Sequence, residues 1–154
     1  MLGLGLAYAG SQNEDLIEPL TSVLEDFSYN FEVSAFAALA LGLIFLGSGN
    51  DAVFGNMIGI LLARNEEKKD LIETPYLILY TLGMGLIVFG MQKDSEMMLE
   101  MTQLSEFANE TKQYFNILIT ACAYADSGNV LKVQEMMLYI AKSKNEIHNK
   151  VQVT

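Results

Sequence analysis

Four stretches of the chain repeat one another, and units of this size bury a core only by stacking on their neighbours. They read LGLGLAYAGSQNEDLIEPL from Leu2, LALGLIFLGSGNDAVFGNM from Leu39, LGMGLIVFGMQKDSEMMLE from Leu82 and ITACAYADSGNVLKVQEMM from Ile119, the last one register late. Anchored on the turn residue, they bring Gly10, Gly47, Gly90 and Asp126 into line, at intervals of 37, 43 and 36 residues. Five positions earlier stand Gly5, Gly42, Gly85 and Ala121, all small. Two positions earlier stand Tyr8, Phe45, Val88 and Tyr124, all large or β-branched. Three positions after the turn come Asn13, Asn50, Lys93 and Asn129, and asparagine is a good helix N-cap.

Each unit therefore reads as a helix that ends at a glycine, a short polar turn and a second helix opened by a cap. First helices are expected as a stub to Ala9, then over 31–46, 73–89 and 110–125. Second helices are expected over 14–26, 51–64, 94–105 and 130–142. Pro19 cannot sit inside a helix without removing a hydrogen bond, so the second helix of the first unit should start late or kink. The first helices are apolar all round and the second ones amphipathic, which places them in an inner and a more exposed layer. The expectation is an all-α fold, an α-solenoid of about four helical hairpins over residues 1–142, followed by a polar, poorly ordered tail over 143–154. Gly10, Gly47, Gly90 and Gly128 serve the turns. Gly5, Gly42 and Gly85 fall in mid-helix, where glycine costs about 1 kcal/mol relative to alanine, and close packing of neighbouring inner helices is the expected compensation.

Apolar residues make up 51% of the 154 positions, enough for a sizeable core and too many for intrinsic disorder. Two uncharged stretches, 33–49 and 75–91, reach the lower length limit of a membrane span, so a small two-span membrane protein is the alternative to a buried helical array. Neither has a flanking cluster of basic residues or a tryptophan belt. The N-terminus has no basic region ahead of its apolar run and is a poor signal peptide.

Catalytic chemistry finds little to work with. His148 is the only histidine and lies in the polar tail, and Cys122 is the only cysteine. No two-histidine metal site, intrachain disulfide or cofactor follows. Cys122, on an apolar helix with no basic neighbour, reads as a small buried hydrophobe. There is no Gly-x-Ser-x-Gly elbow and no phosphate loop, and LGLGLAYAG lacks the preceding strand that a dinucleotide site needs. The run Glu66, Glu67, Lys68, Lys69 reads as a solvated linker. The chain is expected not to be an enzyme.

The formal net charge is -10, and the first basic residue is Arg64. Glu14, Asp15, Glu18, Glu25, Asp26, Glu32 and Asp51 thus stand without an opposing charge along the first part of the chain. Nucleic acid is a poor partner for such a surface, and a basic protein face is a good one.

LGLGLAYAGS, ALALGLIFLGSGN and above all CAYADSGNVLKVQEMM resemble the proteasome/cyclosome repeats of the largest non-ATPase subunits of the 26S proteasome regulatory particle. The likeness runs from Leu2 to about Ala141. It implies an arc of a toroid with concentric inner and outer helices, in a scaffold of the cytoplasm and nucleus. It also implies partners: the proteasome ATPase subunits, ubiquitin, the ubiquitin-like domains of shuttle factors, and a deubiquitinase.

In that family the ubiquitin-receptor surface lies on consecutive outer helices, with acids on the middle one in the pattern Asp, seven on Asp, four on Glu. Here the pattern falls on Ala52, Gly59 and Ala63, none of them acidic, and Asp51 is one residue out of step. Acids persist on the neighbouring helices. The candidate docking residues are Glu14, Asp15 and Glu18, Asp51 with Val53 and Met57, and Asp94 with Glu96; Glu100 lies beside the last pair. On the middle helix Val53, Met57, Ile60 and Leu61 form one apolar side and Phe54, Ile58 and Leu62 another. Either one side is exposed for docking, or both are buried and the helix simply packs. The chain opens inside an apolar helix and lacks a polar capping repeat, so it is expected to be a piece of a larger protein whose ends expose apolar surface and self-associate.

Overall fold

A computed structural model describes residues 1–67 and 75–153, with side chains as far as Lys142. Among the described residues it is all helix and no strand. The elements are α1 (Leu2–Ala7), α2 (Ile17–Glu25), α3 (Phe31–Ile44), α4 (Asp51–Glu67), α5 (Pro75–Ile87), α6 (Glu96–Leu104), α7 (Asn109–Ala123) and α8 (Val130–Val153). Short 3-10 turns at Glu14–Leu16 and Gln92–Ser95 lead into α2 and α6.

The helices alternate between two layers. α1, α3, α5 and α7 stand side by side in one, each packed on the next; α2, α4 and α6 form the other, and each hairpin joins the two. Burial follows the number of neighbours. α3 and α5, covered on both sides, bury residues around most of their circumference, including Ala37, Ala40, Leu41, Ile44, Leu77, Tyr80, Met84 and Ile87, whereas α1, with one inner neighbour, buries Gly5 alone. This is why α3 and α5 read as apolar all round. The stretches weighed as membrane spans are α3 and α5, and no helix among the described residues is long and apolar enough to cross a membrane.

The shared turn has one backbone form throughout. Gly10, Gly47, Gly90 and Asp126 all adopt left-handed backbone, at φ 70°, 63°, 74° and 58°, and so do the residues two further on: Gln12, Gly49, Gln92 and Gly128. A serine in this turn accepts from the cap residue's own N–H, Ser48 from Asn50 at 3.2 Å and Ser127 from Asn129 at 3.2 Å. The caps then accept from the first turn of the following helix, Asn50 Oδ1 from Val53 N at 3.0 Å and Asn129 Oδ1 from Lys132 N at 3.2 Å. Lys93 takes the cap position in the third unit and makes no such bond; there the chain runs through the 3-10 turn instead.

These turns also tie unit to unit. Gly10 N donates to Leu43 O at 2.9 Å and Gln12 N to Ile44 O at 3.0 Å; one unit on, Gly47 N donates to Leu86 O and Gly49 N to Ile87 O, both at 2.9 Å. The last carbonyls of an inner helix lack intrahelical partners, and here the preceding unit's turn supplies them. In the third interface Gly90 N reaches Cys122 O at 3.1 Å, and the second rung, from Gln92, is missing.

The late start expected from Pro19 is found: α2 begins at Ile17, so Pro19 sits in the first helical turn, where its missing N–H costs nothing. α8 continues as helix beyond Lys142 to Val153. Glu66 and Glu67 belong to the last turn of α4 rather than to a linker, while Lys68 to Glu73 lie outside the described residues. The side chain of His148 lies outside the described ones too.

Candidate functional site

The acids of the first unit sit on the 3-10 turn and first turn of α2, which Asn13 opens by accepting from Asp15 N at 3.0 Å. Glu14, Asp15 and Glu18 are all exposed. Asp51 is exposed at the start of α4, and Asp94, Glu96 and Glu100 are exposed on the lead-in and body of α6. Because α4 packs between α2 and α6, the two acidic groups flank it.

α4 itself is not an acidic ridge. Its solvent side is built from Ala52, Asn56, Gly59 and Ala63, so the three family positions are outward-facing and carry no charge. Its other sides are both buried: Val53, Met57 and Leu61 pack inward, and so do Phe54 and Ile58, with Ile60 and Leu62 half-buried. Val53 is 3% and Met57 1% exposed, which corrects their placement as docking contacts. Turning either outward would forfeit about 1.5–3 kcal/mol of burial per side chain. A helix packed on neighbours to left, right and below needs apolar residues on more than one side, and α4 spends both of its apolar sides there.

Two polar groups hold α4 in that place. The buried Arg64 guanidinium donates to Asp26 O and Tyr29 O, both at 3.2 Å, and lies 4.9 Å over the Phe27 ring. Burial lowers its pKa from the usual guanidinium range. On the other side Tyr80 of α5 donates to Met57 O at 2.8 Å, and its ring stacks on Phe31 at 5.9 Å between centroids. The first basic residue of the chain is thus a clamp between α4 and the α2–α3 loop.

α6 presents what α4 does not. Met97 is 56% and Leu104 85% exposed, one face apart by two helical turns, with Glu100 between them and Glu96 and Asp94 alongside. An apolar strip rimmed by carboxylates is suited to a partner with an apolar patch set among basic groups. The sequence reading named the acids of α6 and missed Met97 and Leu104. In the run Met97, Met98, Leu99, Met101 apolar residues fall on every side, and only packing tells that Met98 points in and Met97 out.

A second apolar surface lies on the inner layer, a hollow of about 310 Å³ lined by Ile78, Tyr114, Ile117, Leu118 and Ile140. Among the described residues no group of acids, cysteine and histidine is placed to hold a metal ion. Cys122 is half-buried against Gly85, and burial raises its thiol pKa above the ordinary value.

No family model matches the chain. Among curated proteins it is similar to the 26S proteasome regulatory subunit rpn-1 of Neurospora crassa, 38% identical over 139 residues and 89% of the chain. It is 34% identical over 149 residues, 97% of its length, to the 26S proteasome non-ATPase regulatory subunit 2 of Dictyostelium discoideum. To the 26S proteasome regulatory subunit rpn1 of Schizosaccharomyces pombe it is 33% identical over 131 residues, 85% of the chain. The chain spans 15%, 16% and 14% of the lengths of these three relatives. The resemblance to non-ATPase subunit 1 of the regulatory particle, first seen in LGLGLAYAG and CAYADSGNVLKVQ, is borne out by these matches. Over its matched residues the chain belongs to the family of these proteasome regulatory subunits.

Proposed function

We propose that this member of the proteasome regulatory-subunit family is a non-catalytic scaffold segment that docks ubiquitin, the ubiquitin-like domains of shuttle factors or a deubiquitinase, in association with the proteasome ATPase subunits in the cytoplasm and nucleus. Its work is to hold surfaces in fixed relative positions, which a stack of units tied by backbone hydrogen bonds does without any reacting group. The observation that carries the docking part is the outer face of α6, where exposed Met97 and Leu104 stand among Asp94, Glu96 and Glu100. The acids at Glu14, Asp15, Glu18 and Asp51 extend the negative field along the same layer and steer a basic partner toward it. Docking centred on α6 rather than α4 accounts for the absence of acids at Ala52, Gly59 and Ala63.

Titration of isotope-labelled chain with ubiquitin, and separately with an isolated ubiquitin-like domain, tests this. Amide shifts should concentrate on residues 94–104. Leu104→Ala and Met97→Ala should each weaken binding by about fivefold or more while leaving the thermal midpoint nearly unchanged, since both side chains are exposed. No shifts at millimolar ligand would remove the docking part and leave the scaffold part standing.

A further inference from the structure

Three of the residues of α6, EMMLEMTQL, are methionines, and packing gives each a different environment. Met98 is 2% exposed, in the core. Met101 is half-buried, its methyl carbon 3.3 Å from where a Cβ on Gly55 of α4 would lie. Met97 is open to solvent on the outer strip with Leu104. α6 belongs to the third of the four units. α4 packs on one side of it, α7 lies beneath, and α8 shares a cleft with its Leu99, so the outward face of α6 is not an end of the stack.

Peroxides oxidise a thioether to a sulfoxide, which turns a flexible apolar side chain into a polar one. The oxidant has to reach the sulfur lone pair from solvent, so burial protects Met57, Met84 and Met98 and leaves Met97 accessible. The exposed carboxylates around Met97, those of Asp94, Glu96 and Glu100, repel anionic oxidants but not neutral hydrogen peroxide. Met1 and Met137 are open as well, but neither lies on α6.

Resting on the reading of α6 as the docking face, we infer that Met97 is a site of reversible oxidation, at which hydrogen peroxide forms the sulfoxide and so closes that face to the partner's apolar patch. The sulfur lone pair attacks one peroxide oxygen and the O–O bond breaks. The oxygen now bound to sulfur gives its proton to the departing hydroxide, which leaves as water; sulfur is oxidised by two electrons and the peroxide is reduced. The new S–O dipole needs a hydrogen-bond donor, and an apolar patch pressed against it offers none, so more is lost than the thioether contact alone. A sulfoxide reductase reverses the step: two thiols give up two electrons and close to a disulfide, and the oxygen leaves as water. Because Met97 lies outside the core, α6 keeps its packing through Met98 and Met101.

The experiment treats the 154-residue chain with hydrogen peroxide and follows each methionine by mass spectrometry of its peptides. Affinity for ubiquitin and for an isolated ubiquitin-like domain, and the thermal midpoint, are measured on the same samples. Met97 should oxidise at about the rate of methionine in a short peptide, and Met57, Met84 and Met98 at least about tenfold more slowly. Oxidised chain should bind about tenfold more weakly with its midpoint nearly unchanged, and a pair of sulfoxide reductases, one for each epimer, should restore the affinity. Met97→Leu should bind before treatment and keep its affinity after it, although Met1 and Met137 still react. Untreated chain that binds neither ligand would remove the docking reading, and the regulation with it. Where untreated chain binds, the inference alone is overturned by a Met97 that resists peroxide, by an affinity that oxidation leaves unchanged, or by equal loss of affinity in Met97→Leu.

Discussion

Gly42 and Gly83 meet backbone to backbone. A Cβ added to Gly42 would fall on the Gly83 peptide, and one added to Gly83 would fall on the peptide between Ala38 and Leu39. Alanine is the better helix former by about 1 kcal/mol, so in an open helix either substitution would stabilise. Here the neighbour is main chain, which cannot rotate aside, and forcing α3 and α5 apart costs about 1–3 kcal/mol or more. Gly42→Ala and Gly83→Ala should therefore lower stability. Gly59→Ala, at a position with nothing within 4 Å of the added Cβ, should raise it by up to about 1 kcal/mol. Urea unfolding of the three variants checks the opposite signs; stabilisation by Gly42→Ala would show that the helices have room to part.

The turn glycines were readable because left-handed backbone narrows the choice of residue to glycine and a few polar types. Gly10, Gly47 and Gly90 announce it, and Asp126 is found by falling in register with them. Gln12 and Gln92 share that conformation at φ 54° but carry no such signature, and only their alignment with Gly49 and Gly128 exposes them. α3 and α5 were readable for a similar reason, since cover on both sides demands apolar residues around most of the helix. The outer layer was not. α4 has two apolar sides and α6 has apolar residues on all sides, and periodicity does not tell which side a neighbour covers. Val53 and Met57 turn inward because α2 and α6 close on α4 from either side, a fact held in the packing of three segments together.

Tyr80 holds α5 to α4 through one hydroxyl. Burial pushes its pKa well above the ordinary tyrosine value near 10, against the opposing pull of the Arg64 guanidinium. A group whose folded pKa is raised stabilises the fold fully below the unfolded value and loses that contribution as the pH climbs above it. The chain should accordingly lose stability above about pH 10, and Tyr80→Phe should flatten that loss. At neutral pH the same substitution removes the 2.8 Å bond to Met57 O, whose carbonyl keeps its helical donor within α4, for a cost of about 1 kcal/mol. Thermal unfolding of both proteins across neutral and alkaline pH separates the two effects; parallel curves would mean that Tyr80 ionises as freely as an exposed tyrosine.

Arg64 joins α4 to the α2–α3 loop by two hydrogen bonds from a planar, buried fork and by its position over Phe27. Lysine has a single compact ammonium and cannot reach Asp26 O and Tyr29 O with that geometry. Arg64→Lys should thus destabilise nearly as much as Arg64→Met, each by about 1.5–3 kcal/mol, and both should loosen α2 before the rest of the stack. Hydrogen exchange of α2 amides provides the local readout. Equal protection of α2 in all three proteins would show that α2 is held by its apolar contacts at Leu20 and Leu24 alone.

Cys122 offers a probe of the third internal interface, the one with a single rung. Its sulfur lies where a Cβ on Gly85 would have to go, 2.8 Å from that position, and burial raises the thiol's pKa above its ordinary value near 9. The thiolate is the reactive form, so both cover and pKa slow its chemistry at neutral pH. Alkylation of Cys122 should be markedly slower in the folded chain than in urea, and its rate should keep rising with pH above the range where a free thiol levels off. Gly85→Ala pushes the added methyl onto the sulfur and opens the α5–α7 contact. It should therefore speed alkylation of the folded chain, whereas the same change at the open position Gly59 should leave the rate alone. Equal alkylation rates for folded and unfolded wild type would mean that the fourth unit stands away from the third.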